Sequence, residues 1–236
     1  MPIATSGKYQ LPVEFGFQSL SIQLNKFETL EDEHISFLKK IFKKKQQNPA
    51  SAPLFEGDDA EFKKRLKAAD VYFEYGCSSS TKWVCGSTSA AVYAVDTSNE
   101  WIEKTKQDIG SRNNVFLHHV DLGPLGEWGR PLSYERRQHI PTYVGYLWSL
   151  PVSPDVVLVD GRFRVSCFLT SLIEAKPGTT LIFDDYTNRP LYHLVEDYIA
   201  PVHVEGRQAV FEVPEISIAR KAEIKTEAEK FSYVID

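Results

Sequence analysis

Polar residues stand directly after several short apolar runs of this 236-residue chain. Asp96, Asp121 and Asp160 each follow such a run, and Gly76 with a series of serines follows the first one. If the runs are strands of a parallel sheet, these positions lie where the chain turns into the next helix, and ligands of such sheets bind there. The sequence therefore predicts a ligand site built from strand ends.

The turn after the first apolar run has small and flexible residues that suit a polar ligand. It reads Glu74-Tyr-Gly76-Cys-Ser78-Ser-Ser-Thr. Gly76 allows a sharp turn and a close approach of the backbone, and the serines can donate or accept hydrogen bonds. Alternatively, Ser and Thr here serve only as helix caps, which need no ligand.

Two successive strand ends are acidic and favour a ligand that contains a nucleoside. Asp96 is placed to accept hydrogen bonds from the two hydroxyls of a ribose. Asp121 could place a carboxylate near the amino group of an adenine. A nicotinamide dinucleotide would use Asp96 in the same way, so these two residues leave the kind of cofactor open.

The elements that must position these residues alternate in character from about residue 58 onward. Short apolar runs separated by helical segments predict a parallel sheet with helices on both faces. The last two runs are separated by three residues, which predicts an antiparallel hairpin. We therefore predict a Rossmann-like, doubly wound α/β fold with a mostly parallel seven-stranded sheet and a terminal antiparallel hairpin. The predicted strands are 71–74, 91–95, 114–120, 156–159, 180–183, 201–204 and 208–213.

Two further segments flank the predicted domain, which spans 58–216. Residues 1–57 form an N-terminal helical extension in this interpretation, because apolar residues recur at helical spacing between 30 and 42. Residues 217–236 form a charged C-terminal tail, which we expect to be a packed or loosely attached helix.

Composition narrows the class of partner. A formal net charge of −5 gives no general basic field of the kind that nucleic-acid binding requires. The apolar runs are much shorter than a membrane-spanning helix, and the N-terminus lacks the pattern of a secretory signal. We expect a cytoplasmic protein that acts on a small molecule, with neither a nucleic acid nor a membrane as its partner.

The order of the strand-end residues resembles that of the class I S-adenosylmethionine-dependent methyltransferases, with Glu74-x-Gly76, then Asp96, Asp121 and Asp160. The similarity spans about 58–215 and includes the hairpin, which sets this fold apart from nicotinamide dehydrogenases. The segments 155–164 and 183–186 more closely resemble a bacterial group of methyltransferase-like proteins. The resemblance implies methyl transfer from S-adenosylmethionine to a small acceptor that it does not identify.

The resemblance also implies roles for the residues around the methionine part of the cofactor. Glu74, Gly76 and Ser78 would line that part, and Asp160 would lie near its amino group or the reacting methyl. The family often has glycines where this chain has Ser78 and Ser80, and serine is small enough to fit.

At the other end of the cofactor, the resemblance implies that Asp96 binds the ribose. Asp121 and Leu122 would flank the adenine.

A cluster of three carboxylates, Asp160, Asp184 and Asp185, follows the fourth and fifth strands. Oxygen ligands suit Mg²⁺ or another divalent cation, and the pattern is similar to that of the catechol-type methyltransferases, where a metal orients the acceptor hydroxyl. Tyr186 departs from the usual acid-acid-amide set. The alternative is that the acids cap helices or hydrogen-bond the cofactor and substrate.

Methyl transfer needs little covalent help from a protein, because positioning the acceptor and removing its proton can suffice. The candidates for this catalytic work are Asp160, Asp185 and Tyr186.

On the acceptor side the candidates are Trp128 and Arg162. Trp128 lies in a glycine- and proline-rich loop, 123–131, which could form a lid. Arg162 could hold an anionic acceptor or form a structural ion pair.

Two alternative functions stay open. A non-catalytic protein of the same fold would bind the cofactor without turnover. A nicotinamide-dependent oxidoreductase is disfavoured, because the chain lacks a full G-x-G-x-x-G turn.

Overall fold

The computed structural model describes residues 54–55 and 59–235. These residues contain a seven-stranded sheet with the strand order β3-β2-β1-β4-β5-β7-β6, in which β7 alone runs antiparallel to the other strands. The predicted doubly wound α/β fold is therefore confirmed. The predicted N-terminal extension, 1–57, lies outside the described residues apart from Leu54 and Phe55, which are buried.

The strands are β1 Val71–Tyr75, β2 Ala91–Asp96, β3 Val115–His119, β4 Val156–Val159, β5 Thr180–Phe183, β6 His203–Glu205 and β7 Gln208–Glu212. The α-helices are α1 Ala60–Lys67, α2 Ser79–Ser87, α3 Asn99–Ile109, α4 Ile140–Gly145, α5 Arg164–Glu174 and α6 Ile218–Phe231. No helix in this described part is both long and apolar enough to cross a membrane.

The central strand β4 is apolar throughout, as expected of a strand with both faces buried. In β4, Val157 and Val159 belong to one core cluster, which also contains residues of α5 and α6. The alternate residues Val156 and Leu158 belong to a second cluster, with residues of α1 and α2. Successive side chains of a strand point to opposite faces, so helices cover the sheet on both sides.

The sheet brings the predicted strand ends to one edge. β1 pairs in parallel with β2 on one side and with β4 on the other. From β1 to β3 the strands are added in one direction across the sheet, and from β4 onward they are added on the other side of β1. The hairpin returns to the same edge, because Phe183 at the end of β5 pairs with Ala209 of β7. Arg207, in the turn just before β7, therefore lies beside the carboxyl end of β5.

In the C-terminal segment, α6 packs against α5. The Ser166 hydroxyl donates to the carbonyl of Ala228 at 2.8 Å, and the Lys221 ammonium donates to the carbonyl of Ile173 at 2.5 Å. Ile224 is buried on the same contact. The described part of the C-terminal segment, residues 217–235, thus contains a helix, α6, that packs against α5.

Candidate functional site

A cavity of about 290 Å³ opens at the carboxyl edge of the sheet. Its volume is close to the lower end of the range for small-molecule sites. It extends across the ends of β2, β1, β4 and β5 to the hairpin turn. The lining residues are Gly76, Cys77, Ser78, Asp96, Thr97, Trp101, Trp128, Tyr143, Asp160, Gly161, Arg162, Arg164, Asp185, Arg189 and Arg207.

The middle of the cavity is bare backbone, because the turns after β1 and β4 approach each other at two glycines. Gly76 has φ +89°, and a Cβ there would lie 3.1 Å from the carbonyl oxygen of Asp160. A Cβ on Gly161 would lie 2.2 Å from the Tyr143 hydroxyl and 2.9 Å from the Gly76 nitrogen. The Tyr143 hydroxyl also accepts a hydrogen bond from the Arg162 backbone N–H at 3.0 Å. A side chain at either position would collide with the neighbouring turn, so the glycines allow the two turns to approach closely, and both glycines line the cavity.

Asp96 is buried at the end of β2, and backbone groups hold its carboxylate in place. Oδ2 accepts from the Cys77 N–H at 2.8 Å, and Oδ1 accepts from the Ser98 N–H at 2.7 Å. Burial raises the pKa of Asp96, and these two donors oppose that shift. A carboxylate has about four acceptor sites, so both oxygens can accept further hydrogen bonds.

Two tryptophans lie on the cavity wall near Asp96. Trp101 belongs to the first turn of α3, whose N-cap Ser98 accepts from the Trp101 N–H at 3.3 Å. Trp128 is 76% exposed and has φ 59°. Its loop is tied to the end of β2, because the Thr97 hydroxyl donates to the Gly129 carbonyl at 2.7 Å. Two aromatic faces beside a buried carboxylate suit a ligand with a flat ring and hydroxyl groups.

Glu74 does not line the cavity, although the family resemblance implies that it would. Its side chain is buried behind the β1 turn, where Ser80 and Thr81 donate their hydroxyls to its two oxygens, the latter at 2.6 Å. Burial raises the pKa of Glu74 to about 7. Glu74 joins β1 to the start of α2 and so positions the turn between them.

Asp121 and Leu122, which the resemblance places beside the adenine, also lie outside the cavity. The Asp121 side chain is 50% exposed and pairs with Arg136, and its Oδ1 accepts from the Gly123 N–H at 2.9 Å. Leu122 is buried in the core cluster that contains Ile140. Since β3 ends at His119, these two residues lie beyond the strand, where the chain leads into the 123–131 loop.

Arg164 is buried between two of the predicted acids. Its guanidinium lies 3.1 Å from Asp160 and 3.0 Å from Asp185, and it also donates to the carbonyl of Asp184 at 2.9 Å. Burial and the neighbouring Asp184 raise the pKa of Asp160, and Arg164 opposes that shift. The nearby carboxylates raise the pKa of Arg164, so this arginine stays charged.

Asp184 is fully buried and is satisfied by the hairpin. Its oxygens accept from Arg207 Nη2 at 2.6 Å, from Arg207 Nε at 3.1 Å and from Gln208 Nε2 at 3.0 Å. Asp185 has φ 57° and lines the cavity, where Arg189 pairs with it at 3.0 Å.

These contacts leave the predicted divalent-cation site at Asp160, Asp184 and Asp185 without support. Within 54–55 and 59–235, no group of three His, Cys, Asp or Glu side chains is arranged to hold a metal ion. The physical reason is that arginines occupy the space beside the three carboxylates, so each acid already has a cationic partner.

Of the three catalytic candidates, Asp160 and Asp185 line the cavity and Tyr186 does not. The Tyr186 ring packs in the core, stacked on His193 at 4.6 Å between ring centroids, and its hydroxyl donates to Glu196. Both acceptor-side candidates, Trp128 and Arg162, line the cavity, as do Gly76, Ser78 and Asp96.

Sequence reasoning missed several lining residues, including Thr97, Trp101, Arg189 and Arg207. A signal existed for two of them. Trp101 begins the helix that follows an acidic strand end, and Arg207 occupies the tight turn of a hairpin that must return to the carboxyl edge of β5. Arg189 gave no such signal, because it adjoins no predicted strand end.

No protein-family model matches this chain, and no curated protein sequence matches it. Among solved structures, a methyltransferase-like protein from Silicibacter pomeroyi DSS-3 is 31% identical, and the match covers 75% of this chain and 95% of that one with a TM-score of 0.64. The N-methyltransferase NodS from Bradyrhizobium japonicum WM9, in complex with S-adenosyl-L-homocysteine, is 14% identical over 66% of this chain and 85% of its own, with a TM-score of 0.44. The family assignment depends on the first of these two matches, because it is 31% identical and covers 75% of this chain.

Proposed function

Because this chain belongs to the class I S-adenosylmethionine-dependent methyltransferases, we propose that it transfers the methyl group of S-adenosylmethionine to a small-molecule acceptor in the cavity. The observation that carries the proposal is the floor of bare backbone at Gly76 and Gly161, with the fixed carboxylate of Asp96 beside it. Such a site can take a ligand that needs close backbone contact at one end and hydroxyl recognition at the other.

In this proposal the adenosine lies over the end of β2. Asp96 accepts hydrogen bonds from the ribose hydroxyls with the lone pairs that the backbone does not use. Trp101 and Trp128 flank the adenine ring, where aromatic faces stack well. The support for this arrangement is that all three side chains line the same end of the cavity.

The methionine part lies on the turns after β1 and β4. Ser78 and the Gly76 backbone contact it, and Asp160 pairs with its ammonium group. Asp160 has a raised pKa in the free protein, so a bound cation favours its ionised form. We therefore expect cofactor binding to release a proton from Asp160, and cofactor affinity to rise with pH.

The chemical step is an in-line displacement in which the acceptor atom forms a bond to the methyl carbon and the bond from that carbon to sulfur breaks. The sulfonium supplies the driving force, so the protein has to position the acceptor and take its proton. Asp160 and Asp185 are the carboxylates that line the cavity for this work. Tyr186 is enclosed in the core, and we leave it out of the chemical step.

Titration calorimetry with S-adenosylhomocysteine tests the proposal, with a nicotinamide dinucleotide as a second ligand. We expect saturable binding of S-adenosylhomocysteine alone, and a loss of affinity of about tenfold or more in Asp96→Ala, since two hydrogen bonds to a charged group are removed. Binding of the dinucleotide instead would identify an oxidoreductase. Binding of neither compound would contradict cofactor use of any kind.

A separate measurement distinguishes an enzyme from a non-catalytic binding protein. The wild-type protein, with labelled S-adenosylmethionine, is incubated with panels of small hydroxy, amino and carboxy compounds, and transfer of the label is followed. Transfer that disappears in Asp185→Asn while S-adenosylhomocysteine still binds would support the proposed chemistry. Binding without transfer to any compound would favour the non-catalytic alternative.

A further inference from the structure

The cavity has an unusual concentration of arginines at one end. Four of them line it, and three aspartates lie among them, so the group has one more positive than negative charge when all seven are ionised. The arginines are Arg162, Arg164, Arg189 and Arg207, and the aspartates are Asp160, Asp184 and Asp185. This end of the cavity is therefore suited to an anion.

The four arginines differ in exposure, and Arg162 and Arg164 are buried. Arg164 lies between Asp160 and Asp185 and forms structural ion pairs with both. The side chains of Arg189 and Arg207 are 42% and 24% exposed, and both line the cavity. These two are the arginines that a ligand can reach.

Both accessible arginines are held in place before any ligand binds. Arg189 contacts Asp185 and the Tyr192 hydroxyl through its two terminal nitrogens, at 3.0 Å and 3.1 Å, and each of those nitrogens carries a second hydrogen. Its guanidinium also lies over the Tyr192 ring, 5.7 Å from the centroid. Arg207 is oriented by Asp184, and its guanidinium lies over the ring of Phe55 at 5.9 Å. Oriented guanidiniums lose little entropy when they bind an anion.

The position of these arginines separates them from the cofactor. The strand order places β5 three strands from β2, about 14 Å at the usual spacing, and β7 one strand farther. In the proposed function the adenosine lies over β2 and the methionine over β1 and β4. The ends of β5 and β7 are left for the acceptor.

We propose that Arg189 and Arg207 bind an anionic group of the methyl acceptor, a carboxylate or a phosphate. Guanidiniums form paired, charge-assisted hydrogen bonds with both groups. An acceptor held there by its anion extends toward Asp160 and the methyl group. This inference rests on the proposed function and narrows it to acidic acceptors.

The test uses the full chain saturated with S-adenosylhomocysteine, into which acetate and inorganic phosphate are titrated separately by calorimetry. We expect one of the two anions to bind to this complex, and the preferred one identifies the acidic group. Arg189→Gln should weaken that binding about tenfold or more, the loss typical of a hydrogen bond to a charged partner. Arg136→Gln, a change to a half-exposed arginine outside the cavity, is the matched control and should leave it unchanged.

Each other outcome has a defined meaning. If neither anion binds to the saturated complex, or if Arg189→Gln and Arg136→Gln bind the anion equally well, the inference is overturned and the proposed function stands. If the anion competes with S-adenosylhomocysteine, the arginines hold the carboxylate of the cofactor, which also overturns it. If S-adenosylhomocysteine does not bind at all, the proposed function fails first.

Arg207→Gln is not used, because it leaves Asp184 buried without its partner. The second variant is therefore Arg189→Lys, which keeps the charge and loses the paired geometry.

Discussion

The two ends of the cavity hold their carboxylates by different means. At the cofactor end, which we define by Gly76, Asp96 and Trp101, backbone N–H groups orient the single acid. At the arginine end, defined by Asp184, Asp185 and the arginines around them, side chains orient one another. An acid held by the backbone needs only the correct turn geometry. An acid held by side chains needs every partner in place.

This difference has energetic consequences. Removing one partner of a buried ion pair leaves a charge without compensation, which costs several kcal/mol. Removing an acid that accepts from backbone N–H groups leaves neutral donors behind, at about 1–3 kcal/mol for each that stays unsatisfied. We therefore expect the arginine end to tolerate substitution less well in terms of stability, and the cofactor end to show its losses mainly in ligand affinity.

Asp184→Ala tests the arginine end and should have the largest effect on stability. The substitution removes the acceptor of Arg207 and Gln208 from a fully buried position. We expect the free energy of unfolding to fall by about 3–5 kcal/mol in chemical denaturation. Asp108→Ala breaks an exposed pair with Lys82 and should cost less than about 1 kcal/mol. Equal losses in the two variants would remove the distinction between the ends.

Gly161→Ala tests the backbone floor between the two ends. The added Cβ would lie 2.2 Å from the Tyr143 hydroxyl and 2.9 Å from the Gly76 nitrogen, and the second contact is with backbone that has little freedom to move. We expect a loss of about 1–3 kcal/mol in unfolding free energy, as for other overpacked sites, and no detectable binding of S-adenosylhomocysteine.

The matched control for that substitution is Gly145→Ala, because a Cβ on this glycine of α4 meets nothing within 4 Å. It should be neutral, or stabilising by up to about 1 kcal/mol, since alanine favours a helix over glycine. Unchanged cofactor binding in Gly161→Ala would show that the close approach of the two turns is not needed.

Glu74→Gln tests, through pH, the buried acid behind the β1 turn, which side-chain hydroxyls hold outside the cavity. The folded pKa of Glu74, about 7, lies above its ordinary value of 4.5, so the folded state keeps its proton while the unfolded state releases it. The stability of the wild type should therefore fall as the pH rises from about 4.5 to 7, by roughly 3 kcal/mol, and stay level above that. Glutamine does not titrate, and the variant should gain stability relative to the wild type across the same range.

Denaturation midpoints between pH 4.5 and 8 measure this difference. Glu103→Gln, which alters an exposed acid paired with Lys106, is the control and should run parallel to the wild type over that range. A constant difference between Glu74→Gln and the wild type at all pH values would contradict the raised pKa.

Much of the fold could be predicted because buried parallel strands are continuous apolar runs bounded by turn residues. β4 and β5 have the predicted ends, and β1 and β2 each extend one residue farther. The same rule located Gly76, Ser78 and Asp96 in the cavity, since each adjoins a strand end.

The rest depended on pairings between distant residues, which local spacing does not encode. Asp184 was a candidate metal ligand from its position after β5. In the structure the hairpin brings Arg207 to its carboxylate instead. Glu74 was a candidate cofactor residue because the family resemblance implied that role. The serine and threonine at the start of α2 were interpreted as helix caps, without reference to a buried acid. In the structure, the hydroxyls of Ser80 and Thr81 donate hydrogen bonds to the Glu74 carboxyl group.

Asp121→Ala should have the smallest effect on cofactor affinity. It tests where the cofactor end of the cavity stops. Its carboxylate is half-exposed, pairs with Arg136 and does not line the cavity. We expect the affinity for S-adenosylhomocysteine to stay within about twofold of the wild type by calorimetry, against a loss of about tenfold or more in Asp96→Ala. Asp96 ends β2 and is buried, whereas Asp121 lies two residues after β3 and is half-exposed, so the two changes compare an aspartate inside the cavity with one outside it. If Asp121→Ala weakened binding as much as Asp96→Ala, the adenine would have to reach past the Thr97–Gly129 contact to β3, and the cofactor end would extend one strand farther than the cavity does.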